Sequence, residues 1–430
     1  MKKCIIIGGG LAGLTAAAFL SRSGFYVEVL EASPKPGGRA YSFKDNDSGA
    51  VIDNGQHIMM GCYKETLNFF KLIGAGENLI YRDRLKVNFL KENFNLFTLH
   101  ASPLPYPLNL VSALLNYKVL SLHDRLLFLK FFLKLPFVSQ RKIQDLSVFD
   151  WLIKEKQNES IRKAFWEILA VGALNTNIKK ASAVTFLLVL KEIFFRGNKA
   201  ASIILPKYGL SETYCINAVK FIEEYNGKIN FLEQVTALNT TDDGIKEIVT
   251  NRRTITGVDF VISAVPLYAL KKILPGWNTL NKIELTYSSI VSIHIRLKKY
   301  KLTEDYYGLI NSRVHWIFNH HDHITLVISD ADELVDKSKE EILEIASTEL
   351  KKFININDDE ITSFKIIKEK RATFVPAKDI LNCRPKQTTG LKNFFLAGDW
   401  VDTGLPSTIE SAVKSGKIAA ELVIRNSHYE

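Results

Sequence analysis

A chain of 430 residues, 47% hydrophobic and 24% charged, is long enough for two or three domains and has a composition ordinary for a large packed core. Its net charge of +10 could serve nucleic acid or anionic lipid, but it is spread along the sequence with no nucleic-acid motif, so no nucleic-acid partner is expected, and such a balance by itself commonly serves solubility. The cysteines Cys4, Cys62, Cys215 and Cys383 are far apart and form no CxxC pair, so a disulfide framework or metal site is not expected, and a reducing, cytoplasmic setting is.

In chain order, the apolar run at Cys4–Ile7 passes straight into glycines, without the long apolar region and cleavage site of an export signal. No stretch nears the roughly 20 uninterrupted apolar residues of a spanning helix. Residues 4–31 instead predict strand, glycine turn, helix and strand. Gly8-Gly9-Gly10-Leu11-Ala12-Gly13 supplies G-x-G-x-x-G, the helix ends near Gly24, and a second strand from Tyr26 to Leu30 runs into Glu31 and Ala32. In a dinucleotide site Gly8 permits the tight turn, Gly10 lets a pyrophosphate approach the backbone, and Gly13 lets the helix sit close to the sheet. The helix N-terminus adds unpaired N–H groups and a positive dipole end, and Glu31 is placed to accept hydrogen bonds from an adenosine ribose.

Pro36-Gly37-Gly38-Arg39-Ala40-Tyr41-Ser42 follows. The two glycines allow close backbone approach, and Arg39 can balance phosphate charge. With this segment the chain resembles the FAD-dependent amine oxidase and carotenoid (phytoene) desaturase superfamily, where a GGR segment after the second strand lies along the cofactor. The resemblance implies FAD and an α/β (α+β overall) fold: a Rossmann-type FAD-binding domain with a substrate domain of mixed sheet and covering helices. No second glycine fingerprint exists, since Gly74-Ala75-Gly76 lacks the strand and acid, so no dedicated NAD(P)H domain is expected.

Farther on, Asp53-Asn54-Gly55-Gln56-His57 and Ala173-Leu174-Asn175-Thr176 look like the squalene-associated branch of that superfamily, which places Gly55, Gln56 and His57 at the cofactor. Prolines and apolar runs alternate from residue 103 to 138. If Leu126–Val138 is helical, Lys130 and Lys134 share one narrow stripe and nearly everything else is apolar. Such a segment, like Val184–Phe195, is a buried core helix, a tunnel wall or a helix lying in a membrane interface. Leu205–Leu210 precedes an amphipathic helix and a strand near Lys228 to Val235, and by the resemblance Val235 reaches the adenine. Val261–Pro266 resembles the strand that returns beside the cofactor. His320-His321-Asp322-His323 reads as a polar hairpin tip rather than a metal site, and Lys337–Lys352 as a solvated helix face.

Phe394-Phe395-Leu396-Ala397-Gly398-Asp399 is a short apolar strand ending in Gly-Asp, like the superfamily's second FAD motif, which places Gly398 and Asp399 at the ribityl or pyrophosphate. Gly398–Pro406 (GDWVDTGLP) again resembles the squalene-associated branch. A helix then opens around Pro406, Ser407, Thr408 and Ile409, where Ser407 and Glu410 have capping-box spacing. Its dipole would stabilise charge on the reduced flavin.

The expected architecture is a discontinuous FAD domain from residues 1–75, 200–265 and 390–430, with a substrate domain from 76–199 and 266–389. The favoured activity is reductive dehydroxylation of hydroxysqualene to squalene, with His57 and Asp402 as candidate proton donors. Rival readings are squalene or carotenoid desaturation, amine oxidation, and lipid binding with a structural FAD. The resemblance further implies an isoprenoid lipid substrate, a separate electron donor and other squalene-synthesis enzymes as partners, while the apolar runs and the net positive charge point to an anionic membrane surface and a peripheral position on the inner face of the membrane.

Overall fold

A computed structural model of the chain describes residues 1–46, 49–299, 302–320 and 322–428. Strand β1 (Lys3–Ile7) turns through glycines into helix α1 (Leu11–Arg22) and returns as β2 (Tyr26–Glu31). A continuous apolar run suits a parallel strand covered on both faces, and Ile5 and Ile6 are wholly buried. Beyond α1, Gly24 takes φ +85°, where a side chain would be strained. The hairpin β3 (Ser42–Lys44) and β4 (Val51–Asp53), helix α2 (Lys64–Leu72), and strands β5 (Lys86–Lys91) and β6 (Asn95–His100) follow.

A helical layer comes next: α3 (Leu108–Leu115), α4 (Leu122–Lys134), α5 (Val148–Lys154), α6 (Glu167–Leu174) and α7 (Ala183–Phe194). The chain crosses back through α8 (Ile216–Glu224), β7 (Lys228–Phe231), an antiparallel trio β8 (Val235–Thr240), β9 (Ile245–Thr250) and β10 (Thr254–Thr256), and β11 (Phe260–Ser263). It leaves again as β12 (Tyr287–Leu297), β13 (Tyr306–Leu309), β14 (Trp316–Asn319), β15 (Ile324–Ser329), α9 (Lys339–Lys351) and β16 (Ile361–Phe374). It finishes as β17 (Phe394–Leu396) and α10 (Ile409–Ser427).

Two sheets organise these elements. One is parallel, in the order β7-β2-β1-β11-β17, so strands from both ends of the sequence and from its middle lie side by side. The other has seven strands, β16-β12-β15-β14-β13-β5-β6, and is mixed because β13 runs parallel to β5. Alternation along β12 sorts its two faces. Val291, Ile293 and Ile295 pack with Ile342, Ala346 and Leu350 of α9, while Ile290 packs against the helical core on the opposite face.

The long apolar run becomes α4, and its inward face is aromatic. Phe128 and Phe131 meet Trp166 at centroid distances of 4.8 and 5.3 Å, and Phe131 meets Trp151 at 5.1 Å. Its outward face mixes apolar and basic side chains: Leu122, Leu126 and Leu133 are exposed beside Lys130 and Lys134, and Phe137 just beyond is 86% exposed. The other run, α7, is core, with both Leu187 and Leu190 wholly buried.

Two local expectations need correction. The strand near Lys228 to Val235 is two strands, because the chain turns at Leu232 (φ +57°) and Val235 starts a different sheet. The last helix is capped by Thr408, whose side chain accepts from Ser411 N; Ser407 is drawn instead to Asp399.

Candidate functional site

The site forms at the carboxyl ends of the parallel strands, where a dinucleotide crevice is expected. Gly8 holds φ +104° and donates its N–H to Leu30 O at 2.8 Å. A Cβ on Gly13 would lie 1.9 Å from Gly8 O, so only glycine lets α1 start against the loop. Gly10 is the N-cap and supplies no capping side chain, so the first-turn N–H groups at Leu11, Ala12 and Gly13 are left for an anion. Glu31 sits at the end of β2, accepting from Gly9 N at 2.5 Å and Ser33 N at 2.8 Å; Ala32 beside it is exposed. Gly38, at φ +61°, brings its backbone to Gly10, where a Cβ would stand 3.1 Å from Gly10 Cα.

Arg39 then reaches across the molecule. Its Nη2 meets Asp399 Oδ1 at 2.5 Å and its Nη1 donates to Ala372 O at 2.8 Å, while Ser407 Oγ donates to the other Asp399 oxygen. Burial raises the Asp399 pKa, but Arg39, Ser407 and Arg384 outweigh it and leave the carboxyl below its usual value. For Arg39, burial opposes the charge and Asp399 more than restores it. Both shifts describe one charged pair. A cavity of ≈ 150 Å³ opens beside it, lined by Tyr268, Tyr287, Glu369 and Arg371 among others.

Gly55, Gln56 and His57 follow β4, which is anchored where Asp53 accepts from Ser42 Oγ at 2.6 Å and Leu210 N at 2.9 Å. His57 Nδ1 lies 2.6 Å from Gly55 O, so that nitrogen carries the proton and Nε2 is an acceptor. Burial, with Arg39 nearby, pulls its pKa down to about 4, so the ring is neutral at neutral pH. Asp402 accepts from Gly404 N at 3.0 Å and shapes the loop before α10. Pro406 is buried, Ser407, Thr408 and Ile409 are half-buried, and Gly398 holds φ +132°. Val235 packs with Ile5, Ile7 and Leu30 near the Glu31 end of the crevice.

Two residues here escaped sequence reasoning. Arg384, buried just before Pro385, donates to Asp399 O at 2.9 Å, Trp400 O at 3.2 Å and Leu405 O at 2.6 Å, and also to Val401 O. It fixes the carbonyls of the whole loop. Burial lowers its pKa to about 10, so it stays charged at neutral pH. An arginine in a polar loop gives no local signal of this. Glu410 accepts from Glu65 N at 3.0 Å and Thr66 N at 2.9 Å, capping α2 rather than its own helix. Its spacing announced a cap but not which helix.

The remaining motif is a hairpin tip between β14 and β15, where His320 and His323 stack at 4.5 Å; His321 lies outside the described residues. Among the described residues no group of three or more His, Cys, Asp and Glu side chains converges on a metal position.

These residues fit a flavin dinucleotide. Side chains at Gly8, Gly13 and Gly38 would collide with neighbouring backbone, so the glycines keep the loop tight against the start of α1, the Arg39–Asp399 pair lies beside it, and the buried Ser263 hydroxyl at the end of β11 has no partner among the described residues. Comparison with known proteins agrees. The family model for flavin containing amine oxidoreductases matches residues 11–424. Hydroxysqualene dehydroxylase of Zymomonas mobilis is 28% identical over 425 residues, covering 98% of this chain and 99% of that protein. The 15-cis-phytoene desaturase of Glycine max is 25% identical, over 98% of this chain and 79% of its own length. In fold, an oxidoreductase from Methanosarcina mazei superposes with a TM-score of 0.75 at 17% identity, over 97% of this chain and all of that one. Putrescine oxidase superposes at 0.73 and 14% identity, over 99% of each chain.

Proposed function

This chain belongs to the flavin containing amine oxidoreductase family, and on that premise we propose that it removes the hydroxyl group of hydroxysqualene reductively, giving squalene. It is an FAD-dependent oxidoreductase, and the likeness to hydroxysqualene dehydroxylases from end to end is the observation that carries the finer reading.

The reaction breaks an allylic C–O bond, with a proton needed to release water and a hydride to replace the oxygen. FAD, once reduced by an external donor, supplies the hydride. The protein's share is to hold the ring, exclude water and place a proton. Arg39, Asp399 and Ser407, bonded to one another, would hold the cofactor's ribityl or pyrophosphate region, and Arg384 fixes the loop that carries Asp399. Apolar walls around the bound lipid would keep water from an allylic cation. His57 is the proposed proton carrier: with its pKa held at about 4, the ring protonated at Nε2 is a better proton donor than a free imidazolium, present in small amount at neutrality. Asp402, held to Gly404, is the alternative.

The outer face of α3–α4 is the proposed seat on the membrane. Residues 103–142 hold six basic side chains and one acidic one, and Leu108, Leu122, Leu126 and Leu133 are exposed among them. No helix of the described residues is long and apolar enough to cross a bilayer. Phosphatidylglycerol vesicles should float the protein, and Leu126→Ser with Leu133→Ser should abolish this; equal binding by that variant would remove the seat from α4.

The reaction is tested by reducing the bound flavin without air and adding hydroxysqualene in detergent. Reoxidation with one squalene formed per flavin is expected. No reoxidation, with squalene instead bleaching the oxidised flavin, would make the enzyme a desaturase.

A further inference from the structure

Asn175 ends α6 in a left-handed conformation (φ +46°), an ordinary place for asparagine after a helix. Its side chain, however, does not serve that helix. It is 3% exposed and spans three strands of the seven-stranded sheet. Nδ2 donates to Thr373 Oγ1 of β16 at 3.0 Å and to Ser288 O of β12 at 3.3 Å, and Oδ1 accepts from Asp330 N, just past β15, at 2.8 Å.

The point it grips is irregular. Ser288 pairs with Thr373, but Ile290 pairs with Glu369, so β16 spends four residues where β12 spends two. Ser289 Oγ accommodates the excess by donating to Lys370 O at 3.2 Å. Such bulges re-aim backbone groups beside sites. Here the residue next to Thr373 is Ala372, whose carbonyl accepts from Arg39 Nη1 at 2.8 Å. A continuous path therefore runs from the helical layer through Asn175, Thr373 and Ala372 to Arg39 and Asp399.

We propose that Asn175 is a positioning residue for the cofactor: it holds the bulged end of β16 so that Ala372 O fixes the Arg39 guanidinium against Asp399. The helical layer, which carries the lipid-facing surface, is thereby tied to the flavin cradle. This rests on the FAD assignment and not on which lipid is the substrate, so failure of the dehydroxylation reading leaves it standing.

The test is a double-mutant cycle on FAD affinity, measured by titrating apoprotein with FAD and following flavin fluorescence, with the visible circular dichroism of the bound flavin as a second readout. A lost buried hydrogen bond should weaken FAD binding by about threefold to tenfold in Asn175→Ala. The same substitution in an Arg39→Ala background should change affinity by less than about twofold, because the link has already been cut. Thr373→Val, which removes only the Oγ1 acceptor, should repeat the pattern if Asn175→Ala fails to fold, and should alter the flavin's dichroism. Equal factors in both backgrounds, or unchanged FAD affinity and dichroism in both variants, would overturn the proposal.

Discussion

The nucleotide loop and the helical layer are built by opposite means. Around α1 the fold is set by backbone meeting backbone: a Cβ on Gly13 would lie 1.9 Å from Gly8 O, and one on Gly416 would lie 2.2 Å from Ala12 O. In the helical layer it is set by volume, with Phe128, Phe131, Trp151 and Trp166 filling the space between helices. A backbone contact tolerates no side chain, whereas a packed core tolerates several arrangements of similar volume. The first kind of constraint leaves a fixed residue type in the sequence, and the second leaves only an apolar pattern.

That contrast breaks most sharply at the glycines. Gly13→Ala and Gly416→Ala each force α1 off the loop or α10 off α1, and should lower the flavin retained on purification by at least about tenfold. In the helical layer, Phe131→Ala should cost about 3–5 kcal/mol of stability, read as a lower Tm of the apoprotein, while FAD affinity stays near wild type. Arg384→Met lies between the two regimes. It keeps the volume but removes the guanidinium donor from the carbonyls of Asp399, Trp400, Val401 and Leu405, and FAD affinity should fall about tenfold with far-ultraviolet dichroism unchanged.

An effect of a different kind is pH dependence. Burial lowers the pKa of His57 and His315 to about 4 and of His294 to about 3, against 6.5 for the free side chain. The unfolded chain therefore binds these protons first. Stability from the three residues is complete above pH 6.5 and should be lost as pH falls from there toward 4, seen as a declining Tm. If His57 carries the catalytic proton, kcat/KM rises over the same range, and His57→Gln flattens the rise.

The same contrast explains what the sequence made legible. The strand–glycine–helix–strand unit, Gly38-Arg39 and the Gly398-Asp399 strand end were readable because each needs a particular residue for a steric or charge reason. The Arg39–Asp399 pair joins residues 360 apart in sequence; the resemblance put each beside the cofactor, but their bond to each other left no sign in the sequence. Arg384 and Asn175 act through bonds to distant backbone, and neither leaves a local pattern that separates it from a solvated arginine or a helix-ending asparagine. The apolar run at 126–138 was ambiguous for a physical reason: leucines lie on both faces of α4, one face packed on aromatics and the other exposed beside Lys130 and Lys134. Ser407 misled because capping spacing recurs at Thr408, one residue later.

The most direct measurement of the central claim follows the hydride itself. Protein whose flavin has been reduced in heavy water is given unlabelled hydroxysqualene, and the extracted lipid is weighed by mass spectrometry. Squalene carrying one deuterium at the carbon that lost its hydroxyl is expected. Squalene without deuterium there, or hydroxysqualene recovered unchanged while the flavin stays reduced, would contradict that claim.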